Sequence, residues 1–296
     1  TKVPESGTEV FDVESGNGNG SASSPEFVSG FPVDAALIRS LGTANNQLYS
    51  RLTANKYLST DQTDAEITNA SDFSMASNEG WYLGSTTWTS WMWKRAPGYF
   101  DVVAYSGNGT AGRTVSHNLG VAPEMIWVKR RDGSQNWRVY HKGINGGSSP
   151  EDYFINLNDT NVPFDNNTFW NDTAPTEIDF TVGTQINGSS QDFIAYLFSS
   201  LDGVSKVGSV THSGTTNVDA GFTNGSRFVL IKRTDASGDW YVWDSVRGIV
   251  SGNDPYLLLN STAAETTNTD YIDPYSAGFT LTSSFTAGTY IYYAIA

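Results

Sequence analysis

Three histidines, His117, His141 and His212, are the side chains of this chain whose ordinary pKa suits proton transfer near neutral pH. The chain has no cysteine, which removes thiolate nucleophiles, thiolate metal ligands and disulfides. No Gly-x-Ser-x-Gly elbow accompanies the histidines. His117 stands in Ser116-His117-Asn118-Leu119-Gly120, where Asn and Gly carry turn chemistry, and all three histidines are read as structural. Asp132 and Asp235 recur after similar basic strand ends, and Asp172 and Asp273 fall in comparable loops. Repeated Asp signals repeated Asx-turn geometry more readily than a glycosidase pair. The segments Asn156-Leu157-Asn158-Asp159-Thr160-Asn161 and Asp165-Asn166-Asn167 are rich in the hard oxygen ligands calcium takes. They lack an EF-hand or nonapeptide pattern and are read as solvated turns. Gly107-x-Gly109-x-x-Gly112 matches a phosphate-loop spacing, but Arg113-Thr114-Val115 after it reads as a strand, with no helix N-terminus to receive phosphate. No catalytic residue, metal or cofactor is therefore expected.

Tryptophan is the remaining candidate, with nine in the chain. Trp137 and Trp240 recur at matching positions, which favours a shared core role. Trp88, Trp91, Trp93, Trp170 and Trp243 are the candidates for a subunit interface or for stacking on a sugar ring, beside the plainer reading of core packing. Lys129-Arg130-Arg131 and Lys232-Arg233 lie at strand ends in an acidic chain and are expected to make ion pairs within or between subunits.

The elements that position these residues are strands. Aromatics make up 13% of the chain and charged residues 16%, with abundant turn residues and few helix formers. With 31 acidic against 17 basic residues the net charge is −14, which argues against nucleic acid and against an anionic membrane surface. No apolar run of membrane-spanning length occurs. The chain begins at Thr1 without an initiator Met, as a processed product or a fragment would.

A length of 296 residues suggests two domains, but self-comparison raises the number to three. Trp127-Val128-Lys129-Arg130-Arg131-Asp132 followed by Trp137 matches Leu230-Ile231-Lys232-Arg233-Thr234-Asp235 followed by Trp240, 103 positions on. The segments starting at Phe154, Phe180 and Phe193 match those at Tyr256, Phe279 and Tyr290 in the same order. A divergent first copy shows Phe11-Asp12-Val13, Leu37-Ile38-Arg39, Trp81-Tyr82-Leu83 and Trp91-Met92-Trp93, with Gln47-Leu48 near where Asn-Trp stands in the second copy. Ser15-Gly16-Asn17-Gly18 likewise resembles Ser106-Gly107-Asn108-Gly109, within a Gly/Ser-rich stretch over 14–24. The expected architecture is all-β, as three tandem β-sandwich-like repeats over 1–97, 98–202 and 203–296. The last copy ends on its closing strand, as a native C-terminus would. Phe193–Phe198 is expected to be a central strand buried on both faces, Trp137–Tyr140 a half-exposed one, and Asn145–Pro150 a flexible excursion.

The run from Gly112 to Arg130, with Asn136-Trp137 and Trp170–Thr176, resembles a module of marine tailed-phage virion proteins, found in tail-fibre-like and other structural proteins and often beside concanavalin-A-like lectin domains. The third copy shares it at Phe228–Asp235 and Asp239-Trp240; the first departs most. The module has no assigned activity. The resemblance implies a virion surface protein; together with the repeats and the polar β composition it sets the expectation of a non-enzymatic tail-fibre, appendage or capsid-surface protein, extracellular, homo-oligomeric, bound to other virion proteins and in contact with a host. The alternatives are a surface adhesin that binds a host glycan and, less favoured, a glycan depolymerase.

Overall fold

Short runs of β-branched and aromatic residues between Gly, Asn and Asp turns set the strands. The computed structural model describes residues 2–17, 21, 24–69, 73–84 and 86–296. Gly18, and with it part of the Gly/Ser-rich stretch over 14–24, lies outside them. In the first repeat the strands are β1 (Phe11–Asn17), β2 (Phe27–Val28), β3 (Ala35–Ser40), β4 (Gln47–Ser50), β5 (Lys56–Ser59), β6 (Ile67–Thr68), β7 (Phe73–Ser74), β8 (Gly80–Leu83) and β9 (Thr86–Trp93). They form a main antiparallel sheet in the order β1-β9-β3-β4-β5-β6 and a small one in the order β2-β8-β7.

The later repeats follow the same plan. The second has β10 (Phe100–Ser106), β11 (Arg113–Ser116), β12 (Met125–Arg130), β13 (Arg138–His141), β14 (Tyr153–Asn156), β15 (Phe164–Asp165), β16 (Asp179–Val182) and β17 (Asp192–Phe198). Its main sheet runs β10-β17-β12-β13-β14-β15, and β11 pairs with β16 across from it. The third has β18 (Ser205–His212), β19 (Thr216–Asp219), β20 (Phe228–Arg233), β21 (Trp240–Asp244), β22 (Leu257–Leu258), β23 (Ile272–Tyr275), β24 (Gly278–Leu281) and β25 (Gly288–Ile295). Its sheets run β18-β25-β20-β21-β22 and β19-β24-β23. The closing strand of each repeat sits between the first strand and the strand that carries the basic residue. The registers Leu37↔Trp91, Trp127↔Tyr196 and Leu230↔Tyr293 fix which residues correspond.

The main sheets are apolar on both faces, and the alternation of side chains sends successive residues into different cores. Along β17, Ile194, Tyr196 and Phe198 enter one core, and Phe193, Ala195 and Leu197 another. Along β25, Ile291, Tyr293 and Ile295 alternate in the same way with Tyr290, Tyr292 and Ala294. The second core in each case is private, closed by that repeat's small sheet. The first is common: Trp91, Trp93, Trp127, Phe198, Phe228 and Tyr293 come from all three repeats and occupy one cluster. Each repeat is a sandwich on its outer side and one third of a common core on its inner side. This accounts for the unbroken apolar closing strands.

The same arrangement corrects the expectation that Trp137–Tyr140 is half exposed. Val139 points into the common core and Tyr140 into the private one, so only Arg138 is left partly exposed. The Asn145–Pro150 excursion is tied into two 3-10 turns, with Asn145, Gly146, Gly147 and Ser149 at positive φ. The Asn145 side-chain amide donates to the Ser148 carbonyl at 2.8 Å. Among the described residues the one α-helix is Asn167–Trp170, whose first turn is capped by Asn166. No helix is long and apolar enough to cross a membrane.

Candidate functional site

The basic residues at the strand ends build the seams between repeats. By alternation, Arg39, Lys129 and Lys232 follow Leu37, Trp127 and Leu230 on the inner face, and all three are fully buried. A cation at a core position needs acceptors. Lys129 Nζ donates to the Thr63 carbonyl of the first repeat at 3.0 Å, and Lys232 Nζ to the Thr160 carbonyl of the second at 3.0 Å. Arg39 reaches the Ala263 carbonyl of the third, which closes the ring. Burial pulls both lysine ammonium groups down to about 8. The expectation of ion pairs is thus corrected for the lysines, which bind backbone carbonyls of the neighbouring repeat. It holds for the arginines: Arg130 pairs with Asp132 and Arg233 with Asp235, each at 2.7 Å, and Arg131 pairs with Glu66 of the first repeat.

Two further bonds recur at every seam. The backbone N–H groups of Gln135, Gly238 and Ala44 donate to the carbonyls of Thr63, Thr160 and Thr262 at 2.8, 3.0 and 3.1 Å. Trp137 Nε1 donates to the Ser59 carbonyl and Trp240 Nε1 to the Asn156 carbonyl, both at 2.8 Å. At the third seam the donor is Asn46, whose Nδ2 reaches the Leu258 carbonyl at 3.1 Å. Strand register makes Asn46 the counterpart of Trp137 and Trp240. Gln47-Leu48 stand near that position in the sequence, and the amide N–H that replaces an indole N–H leaves no mark there, because the repeats share a donor role and not a residue type.

Beside two of the seams lie hollows at corresponding positions. The one between the first and second repeats, about 330 Å³, is lined by Lys56, Glu66, Arg131, Asp132 and Asp192, with Ala65. The one between the second and third, about 390 Å³, has Tyr153, Pro163, Thr234, Asp235 and Thr289 at the matching places. Glu66 N–H donates to the Arg131 carbonyl and Glu265 N–H to the Leu41 carbonyl, both at 2.8 Å. Their counterpart in the remaining seam is Pro163, which has no N–H to give.

The tryptophans expected at an interface or a sugar platform are mostly buried. Trp91, Trp93, Trp170 and Trp243 are at most 3% exposed, so none offers a ring face to a ligand. Trp88 is half-buried against the private core of the first repeat. Trp91 is an interface residue within the chain: its Nε1 donates to Asp244 Oδ2 of the third repeat at 2.9 Å, and Arg247 lies 5.4 Å from its ring centre. Asp244 and Glu265 both hold Arg247, at 2.6 and 3.0 Å.

The histidines have both ring nitrogens engaged. His141 Nε2 donates to the Tyr292 carbonyl of the third repeat at 3.1 Å, and Nδ1 accepts from Gly143 N–H at 3.0 Å. This assigns the neutral Nε2–H tautomer, and burial pushes its pKa down to about 4. His117 bridges Thr176 O and Leu119 N, and desolvation lowers its pKa. His212 bridges Phe285 O and Thr216 Oγ1. Asp172 is exposed in a left-handed turn, whereas Asp273 lies in β23, so their loops are not comparable. Asp159 organises its own turn, accepting from Asn161 N–H at 2.9 Å, and Asn158 Oδ1 accepts from Trp137 N–H at 2.8 Å. Asn166 is the helix cap. In the glycine-rich spacing, Gly107 packs where a Cβ would meet the Gly188 carbonyl, and Gly109 and Gly112 take positive φ before β11. Among the described residues no group of three or more His, Cys, Asp or Glu is placed to hold a metal ion.

No curated protein and no solved structure matches the chain. One family, described as a domain of unknown function (DUF7483), matches residues 6–296, across all three repeats and the core they share. The chain belongs to the DUF7483 family.

Proposed function

We propose that the chain is a non-catalytic structural protein of a phage virion surface, in a tail fibre, an appendage or the capsid surface. The observation that carries this reading is the ring of three repeats around one buried aromatic core. A body built this way resists local opening, because no repeat can leave without exposing the common core. It also presents three related outer faces, which suits a seat on a threefold fibre or vertex. The resemblance of Gly112–Arg130 to a virion module supports the same reading. The aromatic strands expected to make contacts between subunits are used up within the chain, so a homo-oligomer would have to form through other surfaces.

The test is mass spectrometry of purified particles together with the native mass of the purified chain. A stoichiometric presence in particles is the expected result, and a defined oligomer in solution would add the homo-oligomeric part of the reading. Absence from particles, or turnover of a polysaccharide by the purified chain, would overturn it.

A further inference from the structure

The seams keep their clasps and change their hollows. At the seam between the second and third repeats, Lys232, Gly238 and Trp240 make the same bonds as Lys129, Gln135 and Trp137 do one repeat earlier. Cohesion therefore does not require the lining of the hollow to change. Yet Lys56, Glu66, Arg131 and Asp192 are replaced there by Tyr153, Pro163, Thr234 and Thr289. Four charges are removed from one concave place, in a volume of about 390 Å³, within the ~300–1,000 Å³ range of ligand sites.

The remaining chemistry is selective. Tyr153, Val162 and Pro163 give an apolar wall, with the Tyr153 ring half-buried and held against the common core. Thr289 supplies a hydroxyl, Thr234 Oγ1 donates to the Thr289 carbonyl at 3.2 Å and keeps its lone pairs, Asn145 Nδ2 donates to the Ser148 carbonyl and leaves Oδ1 as an acceptor, and the turn with Asn145 and Gly146 at positive φ forms one rim. Asp235 is the one charged residue of the lining, and Arg233 already holds its carboxylate at 2.7 Å. Its charge is thus balanced, while its lone pairs can still accept O–H donors. A phosphate or carboxylate ligand finds no cation in this lining, and a cationic ligand finds no unpaired anion. A ring with an apolar C–H face and a row of hydroxyls finds both a stacking wall and hydrogen-bond partners.

We infer that the hollow between the second and third repeats, with Tyr153 as its platform, binds a neutral saccharide. The inference is independent of the virion assignment. It moves glycan recognition from the buried tryptophans to a tyrosine at a seam.

The experiment is saturation-transfer NMR on the full chain with glucose, galactose, mannose, N-acetylglucosamine, maltose and lactose as probes, and with choline and inorganic phosphate as charged controls. Transfer to at least one saccharide and to neither control is expected. Tyr153→Ala should weaken that binding at least tenfold. The double variant Pro163→Glu with Thr234→Arg, which copies the charged pair of the neighbouring hollow, should do the same while circular dichroism and melting show an intact fold. It keeps the test decisive if Tyr153→Ala fails to fold. Arg131→Ala, in the other hollow, should leave saccharide binding unchanged. No transfer from any saccharide, equal binding by the double variant, or preferential binding of choline or phosphate would overturn the inference.

Discussion

The seam between repeats one and two and the seam between repeats two and three hold with the same parts: a buried lysine, a backbone N–H on a threonine carbonyl, and a tryptophan indole that donates to a strand carbonyl of the preceding repeat. They differ only a few residues away, where one hollow is charged and bridged by Arg131 and Glu66 and the other is neutral with Pro163 and Thr234. Parts that repeat serve cohesion, and parts that differ are free to serve something else. The third seam shows how far the clasp itself can drift. Arg39 and Asn46 replace lysine and tryptophan, Arg39 leaves two buried nitrogens, Nε and Nη1, without a partner, and the Trp91–Asp244–Arg247–Glu265 network adds its own contacts.

The indoles carry the greatest expected loss. Trp240→Ala removes a fully buried ring from the common core and orphans the Asn156 carbonyl. A loss of about 3–5 kcal/mol is expected from the cavity alone, and Trp137→Ala should cost a similar amount. Both variants should still unfold in a single transition in urea, because the repeats share one core. Stepwise loss of one repeat would contradict that shared core.

Next comes the alkaline limb of stability. The two buried lysines titrate near 8 when folded, below the ordinary lysine value. Between about pH 8 and 10 the unfolded chain binds more protons, so stability rises with pH, on the order of 4 kcal/mol for the pair. Well below pH 8, at about pH 6–7, the lysines are protonated in both states and contribute no slope. Above about pH 10 the sign reverses, because burial raises the pKa of Tyr49, Tyr105, Tyr140 and Tyr196, and the unfolded chain loses phenolic protons first. Urea unfolding at pH 7.5 and 9.5 measures the rise. The Lys129→Met, Lys232→Met double variant should flatten it, and an unchanged slope would place the effect elsewhere.

Much of this arrangement is legible in the sequence, and the reason the rest is not is physical. The period, the matched strands and the all-β class follow from local patterns, since Trp127-Val128-Lys129-Arg130 and Leu230-Ile231-Lys232-Arg233 carry their own alternation. The common core does not, because Phe193–Phe198 reads as doubly buried whether its second cover is a sheet of its own repeat or two other repeats. The decisive sign is Lys129 itself. It stands two residues after Trp127, at an inward position, where a cation needs acceptors, and one of the two it finds is the Thr63 carbonyl of the neighbouring repeat. The sugar-platform tryptophans mislead because side-chain type says nothing of which core a strand faces, and Tyr153 gives no signal until its counterpart Lys56 is known.

A smaller effect sharpens the charged seam. Arg131 and Glu66 are paired beside Lys56, with the Arg131 side chain about one quarter exposed and Glu66 nearly buried. Arg131→Ala should cost about 1 kcal/mol in low salt and less in high salt, since a partly exposed pair is screened. Thr234→Ala at the neutral seam should show no salt dependence of its own.

The smallest effect sits at Pro163. Pro163→Ala restores the N–H that Glu66 and Glu265 use at the other seams to bond the carbonyls of Arg131 and Leu41. The gain of one such bond, about 0.5–1.5 kcal/mol, is offset by the added freedom of the unfolded chain, about 0.4–1 kcal/mol when proline is lost. A net change within about 0.5 kcal/mol is therefore expected in urea unfolding. Hydrogen exchange separates the two contributions, since the amide gained by Pro163→Ala should be protected if it bonds the Thr234 carbonyl. Fast exchange there, with stability lost by more than about 1 kcal/mol, would mean that the proline ring itself holds the neutral hollow open.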